Sequence, residues 1–235
     1  MSRTKLKDRI MTAPDLNEMT LNDMTLDELR PIIARELPSD AAFDGWNKLA
    51  LETVAARLDL NPDIAKLAFP GGAAEMIDAW FARIDEDMLA ELPHEALSSM
   101  KVRERITALV EARLALIAPH REALRRAQAI LALPQNVKLA LSLGWRAADK
   151  MWRAAGDTAT DYNHYTKRAI LGTVYGATLL FFVNDNSEDW EHTKAFLGRR
   201  IDGIMQFEKV KAKFTKPSER NFSLTRLLGR LRYPA

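Results

Sequence analysis

The 235-residue chain contains no cysteine. This absence excludes disulfides, thiolate metal sites and cysteine nucleophiles, and it fits a reducing compartment. The chain also has no P-loop, no G-x-G-x-x-G loop and no G-x-S-x-G nucleophile elbow, which are common motifs of phosphate binding and serine catalysis. We therefore expect a non-catalytic protein without a cofactor or a metal.

Long hydrophobic runs are also missing, since none approaches the ~20 residues that a membrane-spanning helix needs. The longest run, AILGTVYGATLLFFV at 169–183, is interrupted by threonine and two glycines and predicts a buried core helix. Residues 1–24 open with a basic stretch of little hydrophobic content. We expect a disordered tail there, with a transit peptide as the alternative.

Charge is unevenly spread, although the formal net charge is only +2. Residues 39–95 contain four basic and twelve acidic residues, a net of −8, whereas residues 199–235 contain ten basic and three acidic residues, a net of +7. This asymmetry carries more functional information than the total charge.

Helical periodicity dominates from residue 25 onward, and no segment convincingly resembles a strand. Pro38 predicts the end of the first helix, Pro134 the start of a later one, and Gly156 its left-handed stop. Glu188 and Asp189 are predicted in a first helical turn, where the helix dipole favours acidic side chains.

Short helices lead into a Phe69-Pro70-Gly71-Gly72 turn, a long helix and a larger helical body. This order resembles TetR-type regulators, and it predicts an all-α, TetR-like fold. We expect a degenerate helix-turn-helix region at 25–95, a helical body at 96–215 that binds a ligand and dimerises, and an amphipathic helix at 216–235.

The predicted recognition helix, residues 62–68, offers one lysine, Lys66, against one aspartate, Asp63. Lysine and arginine contacts to phosphates supply most of the affinity of a helix-turn-helix for DNA. The surrounding residues 39–95, however, have a net charge of −8. We therefore expect no nucleic-acid partner. A TetR-type ligand-responsive regulator remains the alternative function.

Two D-x-x-H pairs, Asp161/His164 and Asp189/His192, each place two potential metal ligands on one helical face. Di-iron bundles use E-x-x-H pairs together with two further glutamates on facing helices. The chain shows no convincing glutamate pair of that kind, so we expect no metal site. A helical hydroxylase is the least favoured alternative function.

The C-terminal stretch predicts an amphipathic helix with leucines on one face and arginines largely off it. Such a helix suits the plane of an anionic membrane, and the alternative is a helix packed on the body or on a dimer partner. The candidate membrane-binding residues are Phe222, Leu224, Arg226, Leu227, Leu228, Arg230 and Leu231.

The stretch MWRAAGDTATDYNHYTKRAIL at 151–171 closely resembles the signature of the coenzyme Q biosynthesis protein nine family, lipid-binding accessory proteins of ubiquinone biosynthesis. Residues 130–136, 141–143 and the type of tail helix agree with it. The resemblance implies a TetR-like homodimer that binds isoprenoid quinone precursors and phospholipid, approaches the membrane through its tail helix, and delivers a quinone intermediate to a di-iron hydroxylase.

The resemblance also implies roles for residues of this stretch. Tyr165 and His164 match a patch used for hydroxylase docking, although mitochondrial members have tryptophan at the position of His164. Arg168 matches a position implicated in holding a lipid head group, and the alternative is a salt bridge to Asp161 or Asp157. We expect two sets of residues: the lipid-binding ones are Met151, Trp152 and Arg168, and the partner-docking ones are Asp157, Asp161, Tyr162, His164 and Tyr165.

The basic start of the chain leaves two compartments open. We expect a bacterial cytoplasmic protein peripheral to the inner membrane, with the matrix side of the mitochondrial inner membrane as the alternative.

Overall fold

The computed structural model describes residues 21–160 and 162–215. Over these ranges the chain forms ten α-helices and short 3-10 turns and contains no strand, which confirms the predicted all-α class. The α-helices are α1 (Leu26–Asp44), α2 (Lys48–Arg57), α3 (Pro62–Ala68), α4 (Ala73–Glu91), α5 (His94–Ser98), α6 (Val102–Ile117), α7 (Arg121–Leu131), α8 (Val137–Ala154), α9 (Tyr162–Phe182) and α10 (Glu191–Thr215). Asp161 and the candidate membrane-binding residues of the tail lie outside the described residues.

The N-terminal helices begin at side chains that cap them. Thr25 and Glu28 form a capping box at α1, and the carboxamide of Asn47 accepts hydrogen bonds from two backbone amides at the start of α2. Asn61 caps α3, with Pro62 at the first helical position. Leu21–Asp23 form a 3-10 turn. The sequence prediction had placed these residues in the disordered tail at 1–24.

The prediction that the first helix ends at Pro38 is wrong. Helix α1 continues to Asp44 and stops at Gly45, whose φ of 83° lies in the left-handed region. A proline inside a helix removes one hydrogen bond, but α1 packs against α2, α4 and α7 and buries Leu37 and Ala41 completely. This packing keeps the helix continuous past the proline.

The helix-turn-helix region and the larger body share one hydrophobic core. The indole N–H of Trp46 donates a hydrogen bond of 3.0 Å to the carbonyl of Ala123 on α7, and the Trp46 and Trp80 ring centroids lie 5.2 Å apart. Helix α4 contacts α1 on one side and α6, α7 and α8 on the other. It therefore connects the N-terminal region directly to the body.

The turn before α10 differs from the sequence prediction. Asp189 and Trp190 have φ values of 47° and 55°, so they are left-handed, and the regular helix begins only at Glu191. The buried carboxylate of Asp185 provides the cap, accepting hydrogen bonds from the amides and hydroxyls of Ser187 and Thr193. Burial opposes its ionisation, but these donors hold the pKa of Asp185 well below its usual range.

Candidate functional site

An apolar cavity of about 260 Å³ lies between α4, α7, α8 and α9. Leucines from three of these helices form much of its wall, and Phe81 of α4 closes one side. Gly144 on α8 and Gly176 on α9 also line it, and a Cβ atom added at Gly176 would meet nothing within 4 Å. The small residues therefore leave open space where ordinary side chains would fill the core.

The predicted cavity residues Met151 and Trp152 are not among the residues that line this cavity. Both are buried, and the indole N–H of Trp152 donates a hydrogen bond of 3.0 Å to the carbonyl of Lys167. The Lys167 ammonium lies 5.2 Å from the centroid of the indole ring. Trp152 thus fixes the end of α8 against the start of α9, and a lipid-binding role of Met151 and Trp152 outside this cavity stays a prediction.

The junction between α8 and α9 is held by ion pairs. Gly156 follows α8 with a φ of 89°, the predicted left-handed stop, and the next residue turns back towards α9. The Asp157 carboxylate accepts hydrogen bonds from the Lys167 ammonium at 2.8 Å and the Arg168 guanidinium at 3.0 Å. Burial opposes ionisation of Asp157, but these two cations lower its pKa. Asp157 is therefore tied into the junction.

Arg168 is 1% exposed and lies between two carboxylates. Its Nε donates to Asp149 at 2.5 Å, and its Nη1 also reaches the carbonyl of His164 at 3.1 Å. The salt bridge to Asp157, weighed as an alternative from the sequence, is present, and Asp149 is a partner that the sequence did not indicate. Arg168 borders a polar pocket with Arg153 and Tyr165, away from the apolar cavity. Its role in binding a head group stays a prediction.

A partly exposed aromatic patch lies beside this junction, with His164 half-buried. We define the aromatic patch as Trp145, His164 and Tyr165, whose ring centroids are 5.1–6.5 Å apart. The Tyr165 side chain is 61% exposed, and Tyr162, one turn earlier, is exposed as well. Two of the predicted docking residues, His164 and Tyr165, thus lie together on the surface.

The sequence reasoning missed the part of this surface that α8 contributes. Val137, Leu141 and Trp145 recur at every fourth position of α8 and are exposed, and Leu133, four residues before the helix, is exposed as well. Four-residue spacing places side chains on one helical face, so the signal was present in the sequence. The apolar surface of α8 therefore continues into the aromatic patch.

Comparisons with known proteins show which sequences this chain is similar to. A sequence model of the COQ9 family matches residues 137–208, which include α8, the junction and α9. The chain is 34% identical over 168 residues to the ubiquinone biosynthesis protein COQ9, mitochondrial, of Rattus norvegicus, which is 68% of this chain and 54% of the relative. The corresponding protein of Homo sapiens is 33% identical, over 68% of this chain and 52% of its own length.

The chain belongs to the COQ9 family. It spans about half the length of the curated COQ9 relatives that it matches. A solved structure of a TetR transcriptional regulator from Nitrosomonas europaea ATCC 19718 is also similar, with a TM-score of 0.61 and 28% identity over 77% of this chain and 99% of that chain. The predicted TetR-like fold is therefore confirmed.

The single lysine of the predicted recognition helix α3 lies beside carboxylates. The Lys66 ammonium on α3 lies 2.9 Å from the Glu52 carboxylate and 3.5 Å from that of Asp63. Leu49 and Leu67 are exposed on the same two helices. The single lysine of α3 is thus paired with two carboxylates, and the absence of a nucleic-acid partner stays a prediction.

The Asp189/His192 pair is not placed as its spacing predicted, and Asp161 of the other D-x-x-H pair lies outside the described residues. Asp189 pairs with Lys194, and its left-handed backbone separates it from the helix that carries His192. Over residues 21–160 and 162–215, no group of three or more acidic or histidine side chains is placed to hold a metal ion. None of the helices in this part of the COQ9 chain is long and apolar enough to cross a bilayer.

Proposed function

We propose that this chain is a non-catalytic accessory protein of ubiquinone biosynthesis that binds an isoprenoid quinone precursor and presents it to a quinone hydroxylase. Membership of the COQ9 family supports the pathway, since its curated relatives are named ubiquinone biosynthesis proteins. The observation that carries the lipid-binding part is the apolar cavity between α4, α7, α8 and α9. A closed core would leave no room for such a ligand.

The size of the cavity limits what it takes up. Sites that enclose a drug-sized ligand have volumes of ~300–1,000 Å³, so about 260 Å³ admits one end of a long isoprenoid molecule rather than the whole. Leu180 lines the cavity and is 60% exposed, which places the opening at this side of α9. The rest of the molecule then lies outside the opening, in a membrane or in a partner.

The aromatic patch is the surface that we assign to the hydroxylase. Exposed aromatic side chains are frequent anchors of protein interfaces, and Trp145, His164 and Tyr165 adjoin the apolar stripe of α8. Asp157 orders the junction behind them through its two cations. Tyr162 extends the exposed surface, and Asp161 stays a predicted member outside the described residues.

Membrane contact and dimerisation complete the proposal. The predicted tail helix would hold the chain at an anionic bilayer surface, from which an isoprenoid chain is extracted. The exposed side chain of Phe181 on α9 suits a homodimer face. The curated relatives are named mitochondrial, which favours the matrix-side alternative; the bacterial cytoplasmic location stays a prediction.

Native mass spectrometry of the purified chain, followed by lipid extraction, tests the lipid-binding function. We expect a co-purified molecule with an isoprenoid chain at up to one per protomer, and no conversion of a quinone intermediate by the chain alone. Recovery of no lipid from either a membrane-containing or a quinone-supplemented preparation would contradict the proposal.

The fold itself favours a second candidate, a TetR-type ligand-responsive regulator, because the N-terminal helices match a solved TetR regulator. The charge of this region opposes it, as Lys66 is paired with carboxylates. A salt-sensitive, operator-specific gel shift would support the regulator, whereas absence of a shift at low salt supports the accessory protein.

A further inference from the structure

A second pocket adjoins the apolar cavity at its opening. We call it the turn pocket, because it lies where the end of α9 turns towards α10, and it has a volume of about 280 Å³. It is lined by Leu180, Phe181, Asn184, Asp185, Asn186 and His192. Leu180 lines the apolar cavity as well, so the two spaces lie on either side of one leucine side chain. A ligand that leaves the cavity past Leu180 therefore enters the turn pocket.

The deep wall of the apolar cavity presents only hydrocarbon to a ligand. Its most buried members are Phe81, Leu124, Leu143, Tyr175 and Leu179. Tyr175 contributes its ring, because its hydroxyl is fully buried against the guanidinium of Arg113, which is itself paired with Asp85. Oxygen atoms that leave water for such a wall would lose their hydrogen bonds without replacement. The deep part of the cavity therefore suits the hydrocarbon part of an amphipathic ligand.

The turn pocket, in contrast, offers groups that can form hydrogen bonds. The side chain of His192 is 74% exposed, and its Nδ1 lies 3.7 Å from the Asp185 carboxylate, which is beyond hydrogen-bond distance. The Asn186 carboxamide is exposed and, like the imidazole, makes no hydrogen bond to any residue that the structure describes. Both side chains can therefore donate hydrogen bonds to a ligand or accept them from it.

The charges at the turn pocket favour an uncharged ligand group. Burial opposes ionisation of Asp185 in its wall, but the donors of Ser187 and Thr193 depress its pKa and occupy both carboxylate oxygens. None of the described residues that line the pocket is a lysine or an arginine. Arg125 reaches Asn184 at 3.2 Å, but it is also paired with Glu122 at 3.1 Å. An anion would therefore lie beside a carboxylate without a cation of its own, whereas an uncharged group with oxygen atoms meets no such penalty.

We propose that the turn pocket binds the uncharged, oxygen-bearing ring of a prenylated quinone or phenol, while the isoprenoid units next to the ring lie in the apolar cavity. His192 and Asn186 donate hydrogen bonds to the ring oxygens, and Leu180 packs where the ring joins the chain. This assignment rests on the proposed function and specifies where the polar end of the precursor lies. The ring stays outside the apolar cavity, where a partner enzyme can reach it.

Calorimetric titration of the full chain with decyl-benzoquinone, decylbenzene and decanoate tests this assignment. The wild type should bind decyl-benzoquinone more tightly than decylbenzene by about two- to tenfold, which is the net value of a hydrogen bond, and decanoate most weakly. The double variant Asn186→Ala, His192→Ala should abolish the preference for the quinone and leave decylbenzene binding unchanged. Its melting temperature should equal that of the wild type, because both side chains are exposed.

Two control variants and a second measurement locate the ring. His94→Ala removes an exposed imidazole at the start of α5 and should change no affinity. Gln128→Leu removes the carboxamide from the wall of the apolar cavity and should leave the preference for the quinone intact. In the wild type, the ring-nitrogen NMR resonances of His192 should shift when decyl-benzoquinone is added, whereas those of His94 should not.

The outcomes distinguish the two proposals. If the double variant keeps the full preference for the quinone, if Gln128→Leu abolishes it, or if the His192 resonances do not move, the ring does not lie in the turn pocket, while lipid binding stands. Decanoate that binds as tightly as decyl-benzoquinone would likewise overturn the preference for an uncharged ring. If the wild type binds none of the three probes, the proposed function and the ring site both fail.

Discussion

Replacing Gly176 by leucine is the most direct perturbation of the cavity. The added Cβ atom meets nothing within 4 Å, so the side chain enters the space that we assign to the ligand. Loss of a glycine from a helix interior stabilises by roughly 0.5–1 kcal/mol, and burial of a leucine side chain adds about 1.5–3 kcal/mol when complete. We expect the ligand-free protein to gain about 2 kcal/mol and to lose its co-purified lipid.

Gly172, one turn earlier on α9, is the matched control. A Cβ atom there would lie 3.1 Å from the carbonyl oxygen of Gly144 on α8 and 3.3 Å from its carbonyl carbon, so the two backbones would have to separate. Overpacking of this kind costs about 1–3 kcal/mol, which exceeds the gain in helix propensity. Gly172→Ala should therefore destabilise the protein, opposite in sign to Gly176→Leu.

Thermal unfolding measures both variants, since 1 kcal/mol shifts the melting temperature of a chain of this size by about 2–4 °C. Lipid occupancy by native mass spectrometry supplies the second readout. If Gly176→Leu lowers the melting temperature as Gly172→Ala does, or if it retains bound lipid at the wild-type level, the space beside Gly176 is not the ligand site.

Four further predictions concern the junction, the cap and the tail. Asp185→Ala should lower the free energy of unfolding in urea by about 2 kcal/mol. Because folding depresses the pKa of Asp185, this stabilisation is fully present above about pH 4 and is lost as the pH falls further. An equal loss of stability at pH 2 would therefore refute the cap. Arg168→Met should destabilise by about 3 kcal/mol, since it leaves two carboxylates without their shared cation; a neutral effect would point instead to a ligand role for Arg168. Tyr165→Ala should weaken hydroxylase binding at least tenfold in a pull-down titration with an unchanged melting temperature, and a collapse of the melting temperature would place Tyr165 in the core. Deleting residues 218–235 should abolish liposome flotation and leave thermal unfolding unchanged, whereas undiminished flotation would exclude the tail as the membrane contact.

Local signals predicted the helical boundaries of the candidate site well. Pro134 and Gly156 bracket α8 because proline suits a helix start and a left-handed glycine suits a helix end. The same reasoning failed at Pro38 and Asp189. Tertiary packing carries α1 past its proline, and the cap at Asp185 moves the start of α10 beyond the acidic turn.

The cavity and the ion pairs of the body could not be predicted from the sequence, because both depend on how distant helices meet. Helical spacing indicates which face of a helix is apolar, but a void depends on how four such faces meet. The pairing of Arg113 with Asp85 joins residues far apart in the chain, and Asp149 was not weighed as a partner of Arg168. The family resemblance supplied the docking residues, whereas Leu141 and Trp145 required only the four-residue spacing of α8.

The contact between Gly144 and Gly172 has a mechanical consequence. It lies about two helical turns along α9 from Tyr165 in one direction and from Leu179 in the other, so Tyr165 and the cavity wall at Leu179 lie on opposite sides of this contact. Because the two backbones already lie close together at this contact, α8 and α9 cannot approach further there and can only change the angle between them. If a ligand separates α8 and α9 at Leu179, we therefore expect Tyr165 to shift relative to α8, so that ligand binding and partner binding at Tyr165 would be coupled.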